Sequence, residues 1–369
     1  MAKMQRVGWM TFGILFIGLS AAHAGVGHNA YAEVATGVVE ASAPTPAVVA
    51  GDAKAGRDIG AAWEVMAPLP AGRVFAAVVA SGPYVFVIGG TSDAGASTPT
   101  NTVYRYTTAT NTWQTMTAMP AALDSIDGVE IDGMIYIPGK EPDNNTYAYD
   151  VAGDSWSTSA ANNGYTSASQ YQVVAIGTDL YVLGGIKSSA STTQVWRLDT
   201  TTNTWSPGVP MQNSRTSFSA AAINGNIYVA GGVLFPGFTP DMTAEVFNGV
   251  SWSYIASLPN GGGAYTRWSY NADGVGLDGM WLAAGRRDAG WAVLNHAAYY
   301  DPATNTWTDS PTVPTLNQGR VYMEGAVAAD GYFYVIGGRD SSGSIVYTDN
   351  ERLQTNGPIP VELQLFSVE

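Results

Sequence analysis

Six copies of one short pattern, spaced about fifty residues apart, constrain this chain more than any other feature. A β-branched or aromatic run ending in a glycine pair stands at Val85-Phe86-Val87-Ile88-Gly89-Gly90, Leu180-Tyr181-Val182-Leu183-Gly184-Gly185, Ile227-Tyr228-Val229-Ala230-Gly231-Gly232 and Phe333-Tyr334-Val335-Ile336-Gly337-Gly338. Aligning on the aromatic three residues before the pair adds two degraded copies, Tyr136 leading to Gly139-Lys140 and Trp281 leading to Ala284-Gly285. From Gly89 through Gly139, Gly184, Gly231, Ala284 and Gly337 the steps are 50, 45, 47, 53 and 53 residues. A period of that length means one supersecondary unit repeated, each unit burying its apolar faces against its neighbours.

A second marker follows the first five pairs: an aromatic strand, a polar turn, then tryptophan. The copies are Tyr104-Arg105-Tyr106 to Trp113, Tyr147-Ala148-Tyr149 to Trp156, Trp196-Arg197-Leu198 to Trp205, Val246-Phe247 to Trp252, and Tyr299-Tyr300-Asp301 to Trp307. Turns such as Asp199-Thr200-Thr201-Thr202-Asn203 carry residues that close hairpins by local side-chain bonding. The sixth pair is followed by a strand-like run, Ile345 to Tyr347, expected as the third strand of its unit, but by no tryptophan. Trp63 precedes the first pair with no unit of its own, so the strand around it is expected to complete the last one.

Glycine pair, spaced aromatic and tryptophan, repeated over residues 61 to 355, resemble the kelch superfamily. The resemblance implies an all-β, six-bladed kelch-type β-propeller with four antiparallel strands per blade around a central channel. Closure by the Trp63 strand leaves only short, protected sheet edges. Glycine suits the bend near the axis, and tryptophan fills the widening gap between blades.

The flanks read differently. Lys3 and Arg6 precede an apolar stretch from Val7 to Leu19 and small residues ending in Ala22-His23-Ala24, the grammar of an export signal cleaved after Ala24. That stretch is shorter than the ~20 residues a spanning helix needs. Residues 1–24 are therefore expected as a signal peptide, 25–60 as a flexible linker rich in Ala, Val, Gly and Pro, and 356–369 as a C-terminal tail. The tail's Pro360-Val361-Glu362-Leu363 resembles the start of C-terminal regions on bacterial secreted proteins, and reads either as the beginning of a further region or as a strand on the propeller. The expected location is periplasmic, extracellular or at the cell surface.

Composition removes several chemistries. Sixteen Lys and Arg against 30 Asp and Glu give a formal charge of −14, a field that repels nucleic acid. With no cysteine, thiolate nucleophiles and thiolate metal sites are excluded. The three histidines are His23, His28 and His296, and only the last lies within 61–355, so a histidine-based triad or metal cluster has too few ligands there. Copper radical oxidases resembling galactose oxidase share the fold but need Cys, Tyr and His, and that activity is rejected. No cofactor or metal is expected, and Asp143-Asn144-Asn145 and Asp340-Ser341-Ser342 read as polar turns rather than calcium loops.

The scarce basic residues carry the positive signal. Twelve Lys or Arg lie beyond residue 60, and nine occupy two repeat positions. Arg73, Arg215, Arg267 and Arg320 stand just before the inner strand of a blade, a lead-in position; Lys140, Lys187, Arg286, Arg287 and Arg339 stand in or just after a glycine pair. In kelch proteins both positions open onto one face near the channel mouth, so the resemblance implies a basic ring there, suited to a carboxylate-bearing ligand. Two roles are open for the lead-in arginines, recognition or bonding to carbonyls between blades. Arg286, Arg287 and Arg339 point to recognition. Carboxylates expected near the mouth are Asp124, Glu141, Glu324, Asp288 and Asp340.

Three functions fit. The first is a secreted binding or scaffold module taking a protein or glycan partner through Arg73, Lys140, Glu141, Arg215, Arg267, Arg286, Arg287, Arg320 and Arg339. The second is a metal-free enzyme on acidic sugars, resembling exported sialic-acid mutarotases, with no catalytic pair identifiable. The third is a spacer within a longer surface protein.

Overall fold

The computed structural model describes residues 61–93, 98–140, 145–161, 169–237, 239–259, 267–269, 272–276, 279–287 and 292–355; for 159–161, 267–269, 272–276, 286–287 and 292 the description is of the backbone. The expected signal peptide, linker and tail lie outside the described residues, as do Glu141, Asp143, Asn144 and Asp288.

Among the described residues there is no helix, and six four-stranded antiparallel sheets follow one another as blades. From the channel outward, blade 1 is Ala77–Ser81, Tyr84–Ile88, Val103–Thr107 and Thr112–Met116. Blade 2 is Val129–Ile131, Met134–Pro138, Asn145–Asp150 and Ser155–Ala161; blade 3 is Gln172–Ile176, Asp179–Leu183, Val195–Asp199 and Thr204–Pro207. Blade 4 is Ser219–Ile223, Asn226–Ala230, Ala244–Phe247 and Trp252–Ile255; blade 5 is Ala272–Gly276, Gly279–Ala283, Ala297–Asp301 and Thr306–Asp309. Blade 6 takes Glu324–Val327, Tyr332–Ile336 and Asn350–Gln354 from the C-terminal side and Glu64–Val65 from the N-terminal side.

The closing strand pairs Glu64 with Arg352 and Val65 with Glu351, and Trp63 is buried beside Phe333. One sequence expectation is corrected here. The third strand of blade 6 is Asn350–Gln354, not Ile345–Tyr347. Val346 bridges Arg339 instead, because the loop after the glycine pair folds back as a short second tier before the third strand begins, as it also does in blades 1, 3, 4 and 5.

Local chemistry sets the register. Asp132-Gly133 and Asn224-Gly225 have positive φ at both residues and join inner to second strands through two-residue turns, the geometry whose twist matches the flanking strands. The glycine pair has two separate jobs. A Cβ on Gly337 would lie 2.5 Å from the Arg73 carbonyl, and one on Gly89 2.6 Å from that of Leu123, so the first position admits close approach of the next blade. The second position supplies an N–H to the same carbonyl: Gly338 to Arg73 at 2.7 Å, Gly90 to Leu123 at 2.8 Å, Gly185 to Arg215 at 2.8 Å.

Five of the outer tryptophans each fasten their blade to the preceding one. Nε1 of Trp113, Trp156, Trp252, Trp307 and Trp63 donates to the carbonyl of Ala67, Thr117, Val209, Ala256 and Pro314 respectively, at 2.8–2.9 Å. In three of these joints the residue two before the tryptophan accepts the N–H of the very residue whose carbonyl is held. These are Ala67 to Asn111, Thr117 to Asp154 and Ala256 to Asn305. The acceptors have φ of 54°, 45° and 53°, a left-handed turn that Asn and Asp tolerate best. Asn/Asp-x-Trp is therefore a two-pronged clamp on one peptide residue, beyond the gap-filling role read from sequence. Apolar residues from facing blades complete the packing, as Val78, Val85 and Val87 do with Ala326 and Tyr334.

Candidate functional site at the channel mouth

The second-tier loops bring the two basic repeat positions together at the channel mouth. Val321 bridges Arg339 in blade 6, Arg267 pairs with Arg287 and Ser269 with Arg286 in blade 5, and Thr216 bridges Val233 in blade 4. The side chains of Arg267, Arg286 and Arg287 lie outside the described residues.

Two residues beyond the lead-in position the backbone turns left-handed in blades 1, 2, 3, 4 and 6. Phe75, Ser125, Gln170, Ser217 and Tyr322 have φ of 57°, 53°, 57°, 48° and 60°. Such conformations cost about 1–3 kcal/mol each for residues other than glycine and persist only where the surroundings impose them. The imposing feature is a chain of bonds around the mouth. Phe75 N–H donates to Tyr322 O at 3.1 Å, Ser125 N–H to Phe75 O at 2.8 Å, Gln170 N–H to Ser125 O at 2.9 Å and Ser217 N–H to Gln170 O at 3.4 Å.

The mouth is two-sided. On the blade 6 and blade 1 side, the Phe75 and Tyr322 rings lie 4.3 Å apart, and the Arg339 guanidinium sits 4.9 Å from the Tyr322 centroid. That is a cation–aromatic platform. On the other side are Ser125, Gln170 and Ser217, with Ser217 Oγ donating to Gln170 Oε1 at 2.6 Å. The recess they enclose is about 30 Å³, room for a water or two, with Glu324 on its wall. Below it a cavity of about 310 Å³ is lined by Val78, Val129, Val174, Ala221, Ala326 and Asp127.

Asp127 is buried and accepts from Gly128 N and Val173 N at 2.7 Å each. Burial pushes its carboxyl up to about 7, against the pull of those two bonds. Glu130, also on this cavity, is raised by burial, with Gly133 N–H opposing.

The lead-in arginines sit deeper than the platform. Arg215 is wholly buried, with Nη2 2.8 Å from Glu245 and Nη1 3.2 Å from Asp241, and it donates to the carbonyls of Gly231 and Thr243. Arg320 is wholly buried against Glu351 at 2.8 Å and donates to Val335 O. Burial lowers its pKa, which Glu351 partly restores. Arg73 is buried as well, donating to Gly72 O at 2.8 Å and to the Tyr104 hydroxyl at 3.3 Å. Of the two roles open from sequence, these contacts are those of fasteners. Lys140 is paired with Asp124, and Asp340 turns back on Ser342, Ser344 and Ile345. Among the described residues no cluster of metal-ligating side chains forms.

Of the residues singled out from sequence, Arg339 and Glu324 have side chains described at the mouth itself. Phe75, Ser125, Gln170, Ser217 and Tyr322 were missed. Their common spacing from the lead-in position was the available signal, hidden because their side chains share no chemistry.

A family model for the KLHDC2/KLHL20/DRC7 kelch-repeats domain matches residues 74–233 and 129–338. An F-box/kelch-repeat protein of Arabidopsis thaliana is 30% identical over 151 residues, 37% of this chain and 32% of its own length. Kelch-like protein 35 of Mus musculus is 24% identical over 256 residues, 59% of this chain. The match spans 42% of that relative, so the chain covers only a third to two-fifths of these two proteins. The solved structure of YjhT superposes with a TM-score of 0.64 at 15% identity, covering 77% of this chain and 95% of that one, a likeness of fold. With the repeats matched along most of the propeller, this chain belongs to the kelch-repeat family.

Proposed function

We propose that this chain is an exported interaction module that holds a protein partner on the mouth face, with Phe75, Tyr322 and Arg339 as its anchor. The observation that carries the reading is the platform itself. Two aromatic rings on left-handed backbone, with a guanidinium beside one of them, stand over a recess of only about 30 Å³. Rigid aromatic and arginine anchors at the centre of a face are what a protein interface uses. A small-molecule site usually needs some 300 Å³ or more.

The larger cavity below has the volume for a sugar, yet among its described lining there are carboxylates and no arginine. An enzyme acting on acidic sugars needs both in one pocket. Export rests on Lys3, Arg6 and the apolar run after them.

The test is proximity labelling on the native cell surface, comparing the unaltered chain with the Phe75→Asn/Tyr322→Asn double variant. Asparagine tolerates left-handed φ, so the platform is removed without added strain. We expect one dominant labelled protein that the double variant and Arg339→Ser lose at least tenfold. Identical labelling by all three chains would overturn the reading in favour of a spacer. Saturable thermal stabilisation by an acidic sugar, abolished in Arg339→Ser, would replace the protein partner with a glycan.

A further inference from the structure

Three basic residues of the propeller fall outside the two mouth positions: Arg105, Arg197 and Arg352. All three share another position, on the third strand opposite the residue three before the glycine pair, as Phe86↔Arg105, Tyr181↔Arg197 and Tyr334↔Arg352. Two are neutralised within their own blade. Arg197 lies 2.7 Å from Asp179, and Arg352 lies 2.8 Å from Glu64 with Asp330 at 3.8 Å.

Arg105 has neither counter-ion; the carboxylate that feels its charge, Asp154, is already bonded to Thr117 N–H and the Tyr149 hydroxyl and forms no ion pair with it among the described residues. Where blade 6 places Glu64 opposite its arginine, blade 1 places Gln114; where blade 3 has Asp179, blade 1 has Tyr84. Arg105 accordingly donates to Gln114 Oε1 at 2.6 Å and stacks over Tyr84 at 4.5 Å from the ring centroid, while its buried Nε has no partner. It forms the wall of a groove of about 490 Å³ between blades 1 and 2, at the end of the blades remote from the glycine pairs. The opposite wall carries Asp132, Met134, Asp150 and Val151. Asp132 is exposed, and Asp150 uses Oδ1 for the N–H groups of Ala152 and Gly153.

We propose that this groove binds a small zwitterion of the free amino-acid class, its carboxylate on Arg105 and its ammonium towards Asp132 and Asp150. A guanidinium half-fixed by Tyr84 and Gln114 is preorganised for a carboxylate, and fewer rotamers are lost on binding. Two acidic side chains across the groove disfavour a plain anion and favour a ligand that also carries positive charge. Met134 and Val151 offer an apolar side chain a surface. The volume suits a ligand of that size.

Titration calorimetry of the full chain with each of the twenty free amino acids, their amides and their N-acetyl forms is the test. We expect saturable binding of at least one free amino acid, weakened tenfold or more in its amide and in its N-acetyl form. Arg105→Gln should abolish it. So should Gln114→Glu, which supplies the counter-ion that blade 6 already has, while melting no lower than the unaltered chain; that second variant separates loss of the site from loss of the fold. Absence of saturable binding by any of the twenty, or unchanged binding in Gln114→Glu, would overturn the proposal. Equal binding of the N-acetyl form would overturn the part given to Asp132 and Asp150. The Phe75→Asn/Tyr322→Asn variant should bind as the unaltered chain does, which keeps this site independent of the mouth.

Discussion

Blades 4 and 6 and blades 1 and 2 solve the same joint in opposite ways. In blades 4 and 6 the lead-in arginine meets a glutamate on the third strand, paired with the residue two before the glycine pair: Arg215 with Glu245, opposite Val229, and Arg320 with Glu351, opposite Val335. Each glutamate also holds the loop that leads in. Glu245 accepts the N–H groups of Gln212 and Asn213, and Glu351 that of Asn317. Blade 1 has Tyr104 at the equivalent position, so Arg73 keeps a hydroxyl in place of a carboxylate, and burial lowers its pKa. Blade 2 has Leu123 in place of the arginine and buries Asp127 against backbone N–H groups alone. Charges in the first pair of blades are cancelled; in the second pair they are not.

The difference teaches where redundancy lies. Blade 1's lead-in is pinned by the returning C-terminal segment, with Leu69 N–H on Thr348 O at 2.9 Å and Arg73 N–H on Tyr347 O at 3.4 Å. Ring closure supplies there what glutamate supplies elsewhere.

The largest effect should come from breaking a cancelled charge. Glu245→Ala leaves Arg215 buried with Asp241 alone and frees two loop N–H groups, and such breakage costs about 3–5 kcal/mol. Chemical denaturation measures it. A loss below about 1 kcal/mol would mean that blade 4 is no more dependent on its ion pair than blade 1.

Asp127 sharpens the other side of the comparison through pH. Its folded value is raised to about 7 from that of an ordinary carboxyl, so between about pH 4 and pH 7 the folded chain holds a proton that the unfolded chain has released. Stability should therefore fall as pH rises through that window, by about 2–4 kcal/mol from this group. In Asp127→Asn that component of the slope should vanish. Denaturation midpoints at pH 4.5 and 7.5 for both chains would show it, and equal slopes would mean that the Asp127 carboxyl is not raised by its burial.

How much of this was legible follows from what repeats. The glycine-pair position, intact in four blades and degraded in two, and the outer tryptophan recur around the propeller, so the blades, their number and closure through Trp63 could be read directly. The run Ile345–Tyr347 misled because a second-tier bridge to Arg339 has the same β-branched and aromatic composition as a blade strand. The arginines were visible, but whether each is cancelled depends on a residue some thirty positions away, Glu245 or Tyr104, and on the register between two strands. Phe75 and Tyr322 gave no local sign, because neither residue type announces a left-handed backbone. Only the chain of bonds around the mouth explains them.

The smallest expected effect cuts most directly between the blades. Arg73→Met removes a guanidinium that neutralises nothing; Gly72 O and the Tyr104 hydroxyl lose a donor, and an apolar side chain of similar length takes the buried space. Replacing buried ionic groups with well-packed apolar ones is often neutral or stabilising, so the change should stay within about 1 kcal/mol in either direction. Arg215→Met, identical in chemistry, strands Glu245, which is fully buried, and should cost about 3 kcal/mol or more. Chemical denaturation of the two variants side by side is thus a measurement of the carboxylate rather than of the arginine. Equal losses would show that both arginines act through their carbonyl and hydroxyl contacts, and that the glutamates of blades 4 and 6 serve the lead-in loops alone.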